Sequence, residues 1–201
     1  MSDGAKFQAT NPDASLLTAA PPAAFGFLTP RPAALTVDGS TLGRVPRVLG
    51  LVSGPVSITG ATLSAPAGTI HMASAAGTGE IAVDSRNTPA STVTSLDPVA
   101  IKGGSTLDVS DPINLDSGGG VFIRSGALTI DASEINADNY GSGAGGVLSL
   151  RSDNRITLSN GANVHAVAMA SGNGADILLS TVPTGVTSME AATVLTDTLR
   201  Q

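Results

Sequence analysis

The feature that most constrains this chain is a beat of three short, apolar-alternating segments that returns after polar, glycine-rich turns. Gly119-Gly120-Val121-Phe122-Ile123-Arg124-Ser125 leads into Leu128-Thr129-Ile130 and then Ile135-Asn136-Ala137. Gly145-Gly146-Val147-Leu148-Ser149-Leu150-Arg151-Ser152 leads in the same way into Ile156-Thr157-Leu158 and Val164-His165-Ala166. Alternation with period two is the mark of a strand with one buried face. Three such strands cannot bury their apolar stripe alone, so the units must stack and share a core. Function is then expected along the outside of a rod rather than in one deep pocket.

Upstream, Val56-Ser57-Ile58, Leu63-Ser64-Ala65 and Ile70-His71-Met72 read as one round, and Val99-Ala100-Ile101 with Leu107-Asp108-Val109 as part of a later one. Ile101, Ile123, Leu150 and Leu179 are taken as equivalent positions, spaced 22, 27 and 29 residues apart. Ile58 and Ile101 are 43 apart, which is read as two rounds of about 21 residues with an irregular one between. Insertions such as Asn139-Tyr140-Gly141-Ser142-Gly143-Ala144 fall in turns, where they lengthen the period without moving the core. The expected fold is all-β: a right-handed parallel β-helix, or β-solenoid, over residues 35–182, with rounds about 4.8 Å apart. Residues 1–34, rich in Ala and Pro, read as an irregular N-terminal segment or cap. Residues 183–201 read as a frayed tail or a short helix around Ser188 to Leu195.

Composition narrows the function classes. The 201 residues carry a net charge of -6 with only 10 Lys plus Arg and no basic cluster, so no phosphate-tracking surface for nucleic acid is expected. Aromatic residues are 2% of the chain, which suits narrow stacked strands better than a bulky globular core. The absence of cysteine rules out disulfides and thiolate metal sites, and suits passage through an oxidising periplasm. No run approaches the roughly 18 apolar residues of a membrane helix, so no membrane insertion is expected. No signal-peptide pattern opens at Met1-Ser2-Asp3-Gly4-Ala5-Lys6.

The order of segments resembles the filamentous haemagglutinin-type exoprotein domain of two-partner secretion systems. The resemblance rests on Phe7-Gln8-Ala9-Thr10-Asn11-Pro12, Ala23-Ala24-Phe25-Gly26-Phe27-Leu28, Val37-Asp38-Gly39-Ser40-Thr41-Leu42 and Leu49-Gly50-Leu51-Val52-Ser53-Gly54-Pro55-Val56-Ser57-Ile58. It continues through Gly60-Ala61-Thr62-Leu63-Ser64-Ala65-Pro66-Ala67-Gly68-Thr69-Ile70 and covers residues 6–182. It implies a secreted or cell-surface, adhesin-like protein exported through an outer-membrane barrel transporter, with host or neighbouring-cell glycans or proteins as partners. It also implies a signal peptide and early Asn-Pro-bearing strands that lie upstream of Met1 or are missing. Ser53-Gly54 and Ala67-Gly68 stand where the family shows a glycine pair, a change that small residues tolerate in a tight turn.

Candidate chemistry is sparse. His71 and His165, the two histidines, alternate with apolar neighbours and are expected to face solvent; 94 positions apart and with no cysteine, they are not read as a zinc site. Asp108, Asp111, Asp116, Asp131, Glu134 and Asp138 recur near turns, where clustered carboxylates on an outer groove would serve glycosidic cleavage. Turn aspartates more often bond their own backbone. Ser171-Gly172-Asn173-Gly174-Ala175-Asp176-Ile177-Leu178 nearly matches a calcium-binding nonapeptide, but one copy is no array, and it is read as a glycine-permitted turn. Phosphate-binding, dinucleotide and nucleophile-elbow motifs are absent. No catalytic, cofactor-binding or metal residue is assigned, and the expected function is a non-catalytic scaffold segment. The alternatives are a carbohydrate-active or carbohydrate-binding β-helix protein and a degenerate fragment without independent function.

Overall fold

A computed structural model describes residues 24–43, 47–82, 92–113, 118–181, 187–190 and 192–198. These residues are all-β, with no helix among them. The strands are β1 (Ala24–Phe27), β2 (Leu35–Asp38), β3 (Thr41–Leu42), β4 (Val48–Ser53), β5 (Val56–Thr59) and β6 (Thr62–Ser64). They continue with β7 (Thr69–Ser74), β8 (Gly79–Ala82), β9 (Val99–Lys102), β10 (Thr106–Asp108), β11 (Gly120–Asp131) and β12 (Glu134–Asn136). The last five are β13 (Val147–Ser159), β14 (Asn163–Ala168), β15 (Asp176–Thr181), β16 (Thr187–Met189) and β17 (Thr193–Thr198).

Pairing sorts all but two of these strands into three parallel ladders, which the chain visits in a fixed order. The first ladder runs β2, β5, β9, the second halves of β11 and β13, then β16. The second runs β3, β6, β10, β12, β14, β17. The third runs β4, β7, the first halves of β11 and β13, then β15. Hydrogen bonds therefore link strands one round apart, and neighbours in sequence lie in different ladders.

Alternation decides which side chains meet. In register, Val56, Val99, Leu128 and Ile156 stack in the first ladder beside Ile58, Ile101, Ile130 and Leu158. Leu63, Leu107, Ile135 and Val164 stack in the second, and Ile70, Val121 and Leu148 in the third. All of these are at most 2% exposed and belong to one apolar cluster contributed by the three ladders together. Full burial of each aliphatic side chain contributes about 1.5–3 kcal/mol. The expected inward placement of Val121, Ile123, Leu128 and Ile130 is observed.

The spacing reading needs correction. Ile101 pairs with Ile130 in the first ladder, whereas Ile123 belongs to the third ladder with Met72 and Leu150, so Ile101 and Ile123 are not equivalent. Ile58 and Ile101 are direct partners, one round apart rather than two. The extra residues leave the ladders through β8, which pairs antiparallel with β1. That excursion carries its own small core, with Ala73, Ala75 and Ile81 buried against Phe27, Val52 and Val93. Part of the segment read as irregular is thus the strand Ala24–Phe27.

The C-terminal reading changes as well. Among the described residues around Ser188 to Leu195 there is no helix; β16 extends the first ladder beside Ile156–Leu158 and β17 extends the second beside Asn163–Ala168. The open edge of β14 offers a hydrogen-bonding template, and the alternating, β-branched stretch Thr193-Val194-Leu195-Thr196 suits it better than a helix.

Glycine pairs mark a close approach of backbones between rounds. A Cβ on Gly146 would run into the Gly119 carbonyl, and one on Gly119 into the Gly68 carbonyl. Gly68 is equally hemmed in by Arg47 backbone atoms, so in Ala67-Gly68 it is the glycine that the turn cannot exchange. Ile130→Ala should cost about 2–5 kcal/mol in urea denaturation. Thr129→Ala, on the opposite face of the same strand, should stay within about 0.5 kcal/mol. Equal losses for the two variants would contradict the shared inner cluster.

Candidate functional site

β12 and β14 lie side by side with Ile135 opposite Val164, so both apolar side chains turn inward. The same register turns Glu134, Asn136, Asn163 and His165 outward. Glu134 and His165 are diagonal neighbours, within reach of a long side chain. His165 Nε2 lies 2.9 Å from Glu134 Oε1, and His165 Nδ1 lies 2.9 Å from Asp138 Oδ1.

Asp138, in the turn after β12, is 6% exposed. Its Oδ1 also accepts the Val167 backbone N–H at 2.9 Å, and its own N–H donates to Ser110 Oγ at 3.0 Å. Burial pushes this carboxyl up, but the His165 ring and the Val167 N–H outweigh it and hold the group below its ordinary value. The Asp138 hydrogen bond dominates at His165; partial burial opposes it, Glu134 reinforces it, and the imidazole is raised from 6.5 to about 9. At neutral pH the ring is an imidazolium donating from both nitrogens. A ring in that state donates to both carboxylates, so the trio forms an ionic clamp between adjacent rounds.

The other acidic candidates separate. Asp108 Oδ1 accepts the Ser110 N–H and Asp111 Oδ1 the Ile113 N–H, both two residues on, as turn aspartates do. Asp131 Oδ1 accepts from Ser159 Oγ at 2.8 Å and from Asn160 Nδ2 at 2.5 Å, and these two bonds hold its carboxyl below the usual range. Asp116 lies outside the described residues. His71 corrects the expectation of solvent exposure. It is 6% exposed, in a strand buried on both sides from Ile70 to Ser74, with Gly50 and Phe122 as its register neighbours.

Two polar features escaped the sequence reading. Asn139 is fully buried; its Nδ2 donates to the Gly143 and Asn173 carbonyls and its Oδ1 accepts the Gly141 N–H. An Asn leading into a glycine-rich insertion was the available signal. Arg124 Nη2 lies 2.6 Å from Asp153 Oδ1 across one round.

Two grooves open on the outside. One, of about 670 Å³, has a glycine floor with Arg47, Val48, Thr69, Phe122 and Val147 around it. The other, of about 300 Å³, is polar and includes Ser105, Thr106, Ser133, Glu134 and Asn163. Among the described residues no group of three or more His, Cys, Asp or Glu side chains is placed to hold a metal ion, and no helix is long and apolar enough to cross a membrane. Models of known protein families, curated proteins and solved structures yield no match to this chain.

The clamp sets a pH dependence with a definite sign. Because the folded His165 value is raised, its contribution is complete below about pH 6.5 and is lost as pH rises through about 9. Because the Asp138 value is lowered, its contribution is present above 3.8 and is lost on acidification through the folded value. His165→Ala should cost about 2 kcal/mol at pH 7, allowing for screening at the part-exposed Glu134. The gap between wild type and variant, read from urea midpoints, should close on going from pH 7 to pH 10. A gap that stays constant over that range would rule out the ionic clamp.

Proposed function

We propose that the three ladders form a right-handed parallel β-helix. We further propose that the chain is a rigid, non-catalytic scaffold segment of an adhesin-like exoprotein of the two-partner type. The observation that carries this reading is the cyclic order of the ladders. Strands from successive rounds pair in parallel register in each ladder, around one apolar cluster. An architecture of this kind extends by repetition and displays side chains in columns along its length, which suits a surface rod. The titratable trio supports the non-catalytic part, since its hydrogen-bonding capacity is used in holding β12 to β14. Weak contacts spread over exposed Thr, Ser and Asn side chains would then engage a glycan or protein partner. Secretion or display at a bacterial surface, through an outer-membrane barrel transporter, belongs to the same reading and rests on the segment order that resembles such exoproteins.

Two measurements test the two halves separately. Limited proteolysis with circular dichroism should give a sheet spectrum and a resistant core spanning about residues 35–182. A coil spectrum would favour a fragment that does not fold by itself. For export, the chain should be fused behind a secretion signal and co-expressed with a two-partner barrel transporter. Transporter-dependent appearance in the medium is the expected result. A folded core that is retained with the transporter present would overturn the secretion half and leave the architecture standing.

A further inference from the structure

The chain contains two Asn-Gly dipeptides, Asn160-Gly161 and Asn173-Gly174, and the fold treats them differently. Asn-Gly is chemically labile because glycine, lacking Cβ, lets its backbone nitrogen reach the preceding side-chain carbonyl carbon. We propose that Asn173 is a modification site that converts to aspartate and isoaspartate through a cyclic imide, whereas Asn160 is protected by its hydrogen bond to Asp131.

The step needs no partner but water. The Gly174 nitrogen bonds to Asn173 Cγ, the Cγ–Nδ2 bond breaks, and ammonia leaves with the Gly174 proton relayed through solvent. Water then opens the ring at either carbonyl, giving the normal or the isomerised acid.

Geometry separates the two sites. Asn173 is exposed, its side-chain amide makes no hydrogen bond among the described residues, and neither does the Gly174 N–H. Asn160 has a left-handed backbone, with φ +54°, and its Nδ2 is held 2.5 Å from Asp131 Oδ1. Asp131 is in turn fixed by Ser159 Oγ, so the departing amide nitrogen is anchored to the neighbouring round.

The site matters because of what the Asn173 backbone supports. Its carbonyl accepts from Asn139 Nδ2 at 2.8 Å, and the same amide group ties down Gly141 and Gly143. A Cβ at Gly172 would strike the Asn139 side chain, so the backbone just before Asn173 lies directly against that amide. Isoaspartate inserts a methylene into the backbone there and withdraws the carbonyl from a fully buried side chain.

The test is to age the full chain in mildly alkaline buffer, folded and in concentrated urea, and to map the one-dalton mass gain and isoaspartyl methylation by residue. In urea both asparagines should react at similar rates. In the folded protein Asn173 should keep its rate while Asn160 slows at least tenfold, and Asp131→Ala should restore reaction at Asn160. The aged folded sample should melt about 2–4 °C lower, and Asn173→Gln should remove that shift. Asn160 keeping pace with Asn173 in the folded state, or both slowing alike, would overturn the assignment. An unchanged melting temperature after conversion at Asn173 would sever the link to Asn139.

Discussion

Parallel hydrogen bonding between rounds, in one register per ladder, is the constraint on which the rest depends. Side chains alternate with period two, so a slip of β9 by one residue against its neighbours would turn Val99 and Ile101 outward together and break the columns they share with β5 and β11. The apolar cluster is the sum of these agreements, because each round buries its stripe only against the rounds above and below. That dependence also explains the C-terminal strands. β16 and β17 are short and follow a stretch with little pattern of its own, yet each pairs with an edge already set by β13 or β14.

Turn length is the quantity this arrangement leaves free. Between Ile58 and Ile101 the chain makes an excursion long enough to form β8 and its antiparallel pairing with β1, yet it returns to adjacent register. Backbone crowding at the corners is the compensating restriction. Gly68, Gly119 and Gly146 come from successive rounds, and at each the space a Cβ would need is taken by backbone atoms of the preceding round. The chain can therefore add residues beside a corner more easily than it can add a methyl group within it.

The strands and their inward faces were legible in the sequence because alternation is a local signal, as at Val121-Phe122-Ile123 and Leu128-Thr129-Ile130. Membership of a ladder was not, because segments of all three ladders share one pattern and turn lengths vary. Spacing aligns Ile101 with Ile123, whereas its partner is Ile130. Alternation also says which way His71 points but not what covers that side, and its burial depends on the packing around β7. The clamp joins residues 31 and 27 apart in sequence, a relation that exists only once the register of β12 against β14 is known. Glu134 and Asp138 were recognisable as acidic residues near a turn, but their common partner was not.

That clamp answers a weakness inherent in the pattern. A shift of two residues between neighbouring strands would restore apolar side chains to the inside, so the core alone distinguishes poorly among even-numbered slips. Polar contacts between rounds do not share that degeneracy. Moving β14 by two residues would carry His165 away from both Glu134 and Asp138, and moving β13 against β11 would separate Ser159 from Asp131. Histidine suits the first role because its two ring nitrogens donate from different edges and can engage carboxylates four positions apart on the adjacent round, whereas an ammonium presents one compact charge. The outward polar side chains thus select among the registers that the apolar column would accept.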